Sequence, residues 1–184
     1  MAPLKGAKGC LSEGGIRVPT VMVWPEVIQS GSRCDTPVTS VDFLPSFAEL
    51  AGVKLSDLQA VDGVSLVPLL KGEAIEERGI FWHYPLYLRG NAAPDKIIPV
   101  HGTDELYWCA TPCSVICRGD WKLTQYFEDG RLELYNVKED PSEEVDLSKK
   151  LPERTVMMRR ELEAWQKRVN APIPTELNPD FQSR

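Results

Sequence analysis

Short apolar runs separated by turn residues predict a chain in which strands and helices alternate. The run Val18 to Trp24 is rich in valine and closed by Pro25, which predicts a buried strand. The segment Thr39 to Ala51 predicts a helix, because its apolar residues recur at helical spacing and Gly52 follows as a natural stop. We expect the apolar stripe of this helix to pack in the core. Its members are Phe43, Leu44, Phe47, Leu50 and Ala51.

The second half of the chain predicts a small antiparallel sheet followed by a helix. A short helix is expected around Ser65 to Leu70, and the aromatic run Gly79 to Tyr84 is typical of a strand. Ser114 to Phe127 and Arg131 to Val137 predict the two strands of a hairpin, since an Asp-Gly pair between them favours a tight turn. The clearest helix is Pro152 to Val169, whose apolar residues recur at steps of three and four.

Two segments predict irregular structure. Leu86 to Glu105 is rich in Gly, Asn, Pro and Asp, and loops of this length in a compact domain often bind ligands or cover a site. A disordered insertion is the alternative for this segment. The tail from Ala171 carries several prolines and is expected to run over the surface.

Composition and charge narrow the class of protein. The chain has 184 residues and an apolar content of 42%, which is enough for a core. Its net charge of -6 argues against a nucleic-acid-binding surface. No apolar run approaches the roughly 18 residues that a membrane span requires. The start of the chain has no hydrophobic region of a secretory signal. The sequence leaves the compartment unassigned.

The cysteines favour buried thiols over a metal site. Five are present, and Cys109, Cys113 and Cys117 follow a C-x3-C-x3-C pattern. On a strand this spacing places them on one face, about 13 Å apart per step, which is too far for one metal ion. Pro112 and Gly119 argue against a helix there. A metal or cluster site is therefore the less favoured interpretation of the three thiols.

Catalytic residues are hard to find by motif. The chain has two histidines. His83 lies within an aromatic strand, where a hydrogen-bonded structural histidine is the default and a substrate contact at the strand end is the alternative. His101 falls in the long loop, where it can be simply solvated. No G-x-S-x-G elbow or H-E-x-x-H motif occurs, and the acidic residues are scattered over predicted surface without a recognisable catalytic pair.

One glycine-rich run presents a lysine. In GAKGCLSEGGIRVP, Gly6 to Pro19, small neighbours leave Lys8 uncovered, and the glycines permit tight turns or a close approach to a ligand. This arrangement suits a cation offered to an anionic group. On spacing alone, a solvated lysine in a loop that enters a strand is the favoured interpretation.

The same run resembles a segment of the sulfatase family, G-K-G-x-x-x-E-G-G-x-R-x-P leading into a core strand. Further landmarks of that family follow in order and cover nearly the whole chain, with Leu86 to Glu105 the least similar part. Several linked motifs in the right order are more specific than any one of them. The further segments that carry the resemblance are PVTSVDFLPSFAELAGV, DGVSLVPLLKG, RGIFWHYP and RGDWKLTQYFEDGRLELYNVKEDPSEEVDLS.

The resemblance implies the C-terminal part of an alkaline-phosphatase-like α/β fold. Residues 1–105 would form the end of the sulfatase α/β domain. Residues 106–184 would form a small antiparallel sheet packed by a C-terminal helix, with the tail. It also implies hydrolysis of sulfate esters by an arylsulfatase-type enzyme, in which a cysteine-derived formylglycine is the nucleophile and calcium holds the sulfate. The family's C-terminal active-site lysine falls on Lys8, which would contact a sulfate oxygen.

The chain also departs from the sulfatase pattern. None of its cysteines begins the nucleophile motif C-x-P/A-x-R, and Cys10 is no substitute nucleophile. The family's metal-binding acids lie in segments that precede the lysine loop. We therefore expect a fragment that is inactive alone, with calcium ligands and nucleophile supplied by other parts of a full-length enzyme.

The partners implied by the resemblance are sulfated small molecules or glycans. An exposed sheet edge would in addition favour self-association. Two alternatives stay open at this point. One is a non-catalytic module that binds sulfated glycans or a protein. The other is a fragment of a related phosphate or phosphonate ester hydrolase.

Overall fold

A computed structural model of the chain describes residues 3–55, 61–89 and 108–176. The chain divides into two compact units, one made of Met1–Val18 with Gly79–Arg184 and the other of Pro19–Arg78. The domain boundary predicted between residues 105 and 106 lies outside the described residues. Within the described parts, no helix has the length and apolar content to cross a membrane.

The first unit is built on a four-stranded antiparallel sheet with strand order β1-β4-β5-β6. Strand β1 confirms the prediction made for its segment from its aromatic residues. A separate antiparallel pair, β2 with β3, lies within the same unit. The strands are β1 (Gly79–Tyr84), β2 (Leu88–Arg89), β3 (Trp108–Ala110), β4 (Cys113–Arg118), β5 (Trp121–Tyr126) and β6 (Leu132–Asn136).

The region expected as one long strand, Ser114 to Phe127, is in fact a hairpin of its own. Strands β4 and β5 pair antiparallel, and Arg118 lies opposite Trp121, so two residues form the connection. Gly119 in this connection has φ 55°, a conformation that glycine adopts readily and that suits tight hairpin loops. The prediction of a hairpin between the second and third of these strands, β5 and β6, is confirmed.

Helix α4, Pro152–Arg168, confirms the predicted C-terminal helix and covers one face of the sheet. Phe81 of β1 stacks on Trp165 of the helix, with ring centroids 4.9 Å apart. A cluster of buried apolar residues lies between the sheet and α4. Burial of this cluster is the main source of stability for the sheet and helix, at roughly 25 cal/mol for each Å² of apolar surface. The buried members are Ile116, Leu123, Leu134, Met158 and Leu162.

The opposite face of the sheet carries several polar side chains that are nevertheless buried. Since side chains alternate along a strand, the residues of β5 that flank Leu123 point away from α4. These are Lys122 and Thr124, and both are buried, as is Tyr126 further along the same face. This face therefore needs a polar cover, which the N-terminal segment of the chain supplies.

The second unit is organised around polar residues. It contains a 3-10 helix (Ser40–Asp42), helix α2 (Phe43–Leu50) and helix α3 (Val67–Leu70), which bears out the helices predicted there in type but with shorter extents. The fully buried Asp42 accepts backbone hydrogen bonds from Thr39, at 2.8 Å, and Val64, at 3.0 Å. Its carboxylate also pairs with Arg78.

The apolar stripe of helix α2 does not pack in a core in the described structure, and the prediction that it would do so is wrong. Phe47 is 65% exposed, and Phe43, Leu44 and Leu50 are exposed as well. Ser46 and Ala48, on another face of the helix, are buried instead. The Ser46 hydroxyl donates to the Asp42 carbonyl and accepts from the Leu66 amide, so both backbone groups have a partner.

The buried strand predicted from Val18 to Trp24 is also wrong. The structure has no strand there, and Val21 and Val23 are 87% and 84% exposed. Apolar β-branched residues favour extended backbone, but a strand forms only where a neighbour supplies the hydrogen bonds of the ladder. No strand of the described residues pairs with this segment.

Candidate functional site

Lys8 lies on a turn that is stabilised by hydrogen bonds from Cys10. The Cys10 amide donates to the Ala7 carbonyl at 3.2 Å, and the Cys10 thiol donates to the same oxygen at 2.8 Å. Because the thiol has one proton, the Ser12 hydroxyl, 2.8 Å from the sulfur, donates to it in turn. Lys8 itself is exposed and makes no ion pair with any described residue. Among the described residues, the Lys8 ammonium group therefore has no anionic partner.

The turn is part of a loop that closes on itself. The Gly14 amide donates to the Lys5 carbonyl at 2.7 Å, which joins the two ends of the loop. Helix α1, Glu13–Ile16, begins at this point. A Cβ on Gly14 would lie 2.5 Å from the Lys5 and Gly6 carbonyl oxygens, and one on Gly15 would collide with the Cys10 carbonyl. The two glycines are needed because the helix packs directly on the loop backbone.

A buried ion cluster lies beneath this loop. Lys122 of β5 has no exposed surface, and its Nζ lies 3.1 Å from Glu13 Oε1 and 2.9 Å from Glu143 Oε1. The contact with Glu143 is an ion pair outside hydrogen-bond alignment, whereas Glu13 accepts a hydrogen bond. Arg17 reaches the second oxygen of Glu13 at 3.6 Å from the outside. The cluster joins helix α1 to the sheet and to the segment after β6.

The positive charge of Lys122 and the carboxylates of Glu13 and Glu143 stabilise each other. Burial acts to lower the pKa of Lys122, but Cys117, Glu143 and Glu13 raise it, and the net direction is upward. Lys122 therefore stays protonated. A raised pKa in the folded state means that the stabilisation is complete at neutral pH and is lost only as pH rises through the folded value.

The acidic residues were predicted to lie on the surface, and for Glu13, Glu143 and Asp42 that prediction is wrong, since all three are buried. They neutralise buried cations or accept buried amide hydrogens, which is what a buried carboxylate requires. Among the described residues, no group of three or more His, Cys, Asp or Glu residues could hold a metal ion. The buried carboxylates are thus already occupied by the protein's own donors.

His83 lies on the other face of the sheet from the Lys8 loop. Its neighbour two residues earlier, Phe81, packs on α4, whereas Tyr84 packs against Cys10 of the loop. The Nδ1 atom of His83 lies 2.7 Å from the Ser114 hydroxyl, and Nε2 lies 3.1 Å from the Pro172 carbonyl. The structure does not bring His83 and Lys8 together, and both ring nitrogens of His83 have partners in the chain. A substrate contact by His83 stays a prediction, and His101 lies outside the described residues.

Cys113 confirms the expectation of buried thiols in a core strand. It lies in β4 on the same face as Lys122, with 4% of its surface exposed. Burial raises the pKa of the Cys113 thiol to about 12, with Lys122 opposing the shift and Cys10 and Glu133 adding to it. Burial likewise raises the pKa of Cys117 to about 12. Neither thiol is a nucleophile at neutral pH.

These pKa values predict selective alkylation of the cysteines. At pH 8 we expect iodoacetamide to modify the exposed Cys34 readily and Cys113 at a negligible rate, because a pKa of about 12 in place of 9.0 lowers the thiolate population about a thousandfold. Peptide mass mapping after timed quenching measures both rates. Equal labelling of the two cysteines in the folded chain would contradict the structure, and urea-unfolded chain is the control in which both react.

The fold and the loop together define the C-terminal portion of a sulfatase-type α/β fold. The family described as "N-sulphoglucosamine sulphohydrolase, C-terminal" matches residues 7–101, which include Lys8 and the strand β1. The chain belongs to the sulfatase family, as its motifs indicated. Hydrolysis of sulfate esters is the activity of this family.

Individual relatives agree with this assignment. A sulfatase of Formosa agariphila is 32% identical over 182 residues, covering 93% of this chain and 31% of the relative. The human steryl-sulfatase is 42% identical over 81 residues, covering 44% of this chain and 14% of that protein. The crystal structure of Ps i-CgsB in complex with k-i-k-neocarrahexaose is similar with a TM-score of 0.68 at 27% identity, covering 97% of this chain and 35% of that one. The chain thus spans about a third or less of the length of these relatives.

The ion cluster is the part of the site that sequence reasoning missed. Lys122 occurs in WKLTQY, where alternation predicts that lysine, threonine and tyrosine share one face but not whether that face is buried. Glu143 lies in a turn-rich acidic segment that is typical of surface. The one available signal was the acid of the E-G-G run, Glu13, whose position beside two glycines already indicated a close backbone approach.

Proposed function

We propose that this chain forms the C-terminal part of a sulfatase active site, in which Lys8 binds a non-bridging oxygen of the substrate's sulfate group. The observation that carries the proposal is the loop itself. Hydrogen bonds join Gly14 to Lys5 and Cys10 to Ala7 within the loop, and the Lys8 ammonium has no protein partner among the described residues.

The chemistry requires such a cation. A sulfate ester is an anion, and negative charge shifts onto the leaving oxygen as the S–O bond breaks. A fixed positive charge near the sulfate stabilises this redistribution, because it is already oriented and needs no reorganisation during the reaction. Lys8 binds as a point charge with three donor hydrogens, which suits an oxygen of a tetrahedral anion.

The described residues provide neither a site for the calcium ion nor the formylglycine nucleophile of the sulfatase family. The described residues contain no cluster of ligands for calcium. Cys10 and Cys113 are buried within the fold, and none of the five cysteines begins the nucleophile motif. The role that we propose for this chain is to bind and position the anion.

A sulfated glycan or sulfated small molecule is the substrate class we propose. The presence of an oligosaccharide in the complex of Ps i-CgsB supports the glycan class. A separate non-catalytic binding module and a phosphate ester hydrolase have no support from the comparisons. Association of the chain with itself is also a proposal, which the exposed Val21 and Val23 support.

Activity in two contexts tests the proposal. We expect the chain alone, with a sulfated aryl substrate and calcium, to release no sulfate above background. In a chimaera where the chain replaces the matching third of the Formosa agariphila sulfatase, we expect sulfate release to be measurable. Clear turnover by the chain alone would overturn the assigned role. A folded chimaera without activity would count against a shared active site, and the unmodified relative is the control for the assay.

A further inference from the structure

The segment that follows β6 contacts both ends of the loop that carries Lys8. Glu143 Oε2 accepts a hydrogen bond from the Glu13 amide at 2.8 Å, near the end of the loop, and the Glu143 carbonyl accepts one from Lys5 Nζ at 3.2 Å, at its start. One residue thereby holds the entry and the exit of the loop. The residues it joins are more than a hundred positions away in the chain.

The backbone of Glu143 is adapted to this double contact. Its φ is 54°, in the left-handed region that residues other than glycine adopt only at a cost of about 1 kcal/mol or more. The side chain and the carbonyl group point to two different partners in this conformation. The Lys122 ammonium lies 2.9 Å from Glu143 Oε1 and places a positive charge beside this carboxylate, which is 1% exposed.

The entry of the loop has a second contact with the same side of the sheet. The Lys5 ammonium lies 5.5 Å from the centre of the Tyr135 ring, within the range of a cation–π interaction. Tyr135 lies opposite Lys122 in the sheet register, so the two contacts of Lys5 lie beside the buried ammonium. The short hydrogen bond from Gly14 to Lys5 then fixes the distance between the two clamped ends.

From these contacts we propose that Glu143 is a positioning residue for Lys8: together with Lys122 it clamps the Lys5–Gly14 loop and sets the place of the Lys8 ammonium relative to a bound sulfate. This inference rests on the proposed function of Lys8. It assigns to Glu143 a role in the order of the loop and in anion affinity, and no contact with the substrate.

The test compares Glu143→Ala with Glu144→Ala, since Glu144 is the exposed neighbour of Glu143 and its side chain forms no hydrogen bond or ion pair with another described residue. Amide hydrogen exchange of the full chain measures the order of residues 6–14, with α4 as the reference for global stability. In Glu143→Ala we expect exchange in the loop to rise about tenfold relative to α4, and no change in Glu144→Ala. An equal rise in loop and helix would overturn the proposal, because it would show general destabilisation.

Sulfate binding tests the consequence for Lys8. Inorganic sulfate is titrated into isotope-labelled chain while the Lys8 amide resonance is followed. We expect Glu143→Ala to weaken the sulfate affinity at Lys8 about three- to tenfold, with partial recovery in Glu143→Gln, which keeps an oxygen for the Glu13 amide. Unchanged affinity in Glu143→Ala would overturn the positioning role. Should that variant not fold, Lys5→Met removes the contact at the loop entry alone and must show the same two effects.

The two proposals fail in different ways. If the wild-type chain shows no sulfate response at Lys8, the anion contact of the proposed function is refuted, whereas the exchange measurement still decides whether Glu143 orders the loop. If sulfate binds at Lys8 with equal affinity in all the variants, the positioning role is refuted and the anion contact stands.

Discussion

Replacing Lys8 by alanine in the active chimaera is expected to lower kcat/KM for a sulfated aryl substrate at least a hundredfold. Removal of one fixed donor to a developing negative charge commonly costs about 10²- to 10³-fold in rate, or about 3–4 kcal/mol of transition-state stabilisation. Lys8 is exposed and has no ion pair in the described structure, so its loss leaves no buried group without a partner. The effect should therefore fall on activity and leave thermal stability unchanged. Released sulfate measured over a range of substrate concentrations checks the prediction.

The matched control is Lys149→Ala, which removes another exposed lysine from the same unit. We expect its kcat/KM to remain within twofold of the parent, since a distant surface charge acts through screened electrostatics alone. Lys8→Arg should retain part of the activity, because it keeps the charge but changes the shape and reach of the donor. A Lys8→Ala chimaera as active as the parent would exclude Lys8 from the anion site.

Replacing Lys122 by methionine is expected to lower the free energy of unfolding of this unit by about 3–5 kcal/mol. Methionine has a similar length, but it leaves the carboxylates of Glu13 and Glu143 facing each other in a buried site without a cation. Removing one partner of a buried ion pair has this cost because the remaining charge is uncompensated. Urea denaturation followed by tryptophan fluorescence gives the free energy. If the variant does not fold, its soluble fraction is the measure.

Two further variants separate charge from packing at this site. Lys138→Met removes the exposed ion pair with Asp120, at 3.4 Å, and should change stability by no more than about 0.5 kcal/mol. Combining Lys122→Met with Glu13→Gln and Glu143→Gln removes all three charges and should recover a large part of the lost stability. If the triple variant is no more stable than Lys122→Met, the loss comes from packing or from hydrogen bonds and not from unpaired charge.

The sheet and its helix could be predicted because local patterns decide them. Helix α4 follows from apolar residues at steps of three and four, and the β5–β6 hairpin from an Asp-Gly turn between alternating strands. The β4–β5 hairpin was not predicted, since its turn is only Gly119 with Asp120 and the residues on both sides favour a strand. A glycine in such a run is also compatible with a continuous strand.

The burial of whole faces could not be predicted in the same way. Helix α2 has a clear apolar stripe, yet Phe47 is exposed in this structure while Asp42 and Ser46 are buried. Which face of a helix is covered depends on what else packs there. Val21 and Val23 show the same limit for a strand, which needs a hydrogen-bonding neighbour as well as a favourable sequence.

The sequence by itself determined the family, the C-terminal helix and the β5–β6 hairpin of the first unit, and it indicated Lys8 as a candidate for binding an anion. These follow from residue order, because glycines, turn pairs and apolar spacing act over a few neighbouring positions. Only the tertiary structure decided that Lys122, Glu13 and Glu143 meet beneath the Lys8 loop, and that His83 lies on the opposite face of the sheet. The contacts of Glu13 with Lys122 and Glu143 join residues more than a hundred positions apart, so local sequence patterns cannot indicate that these groups lie within about 3 Å of each other.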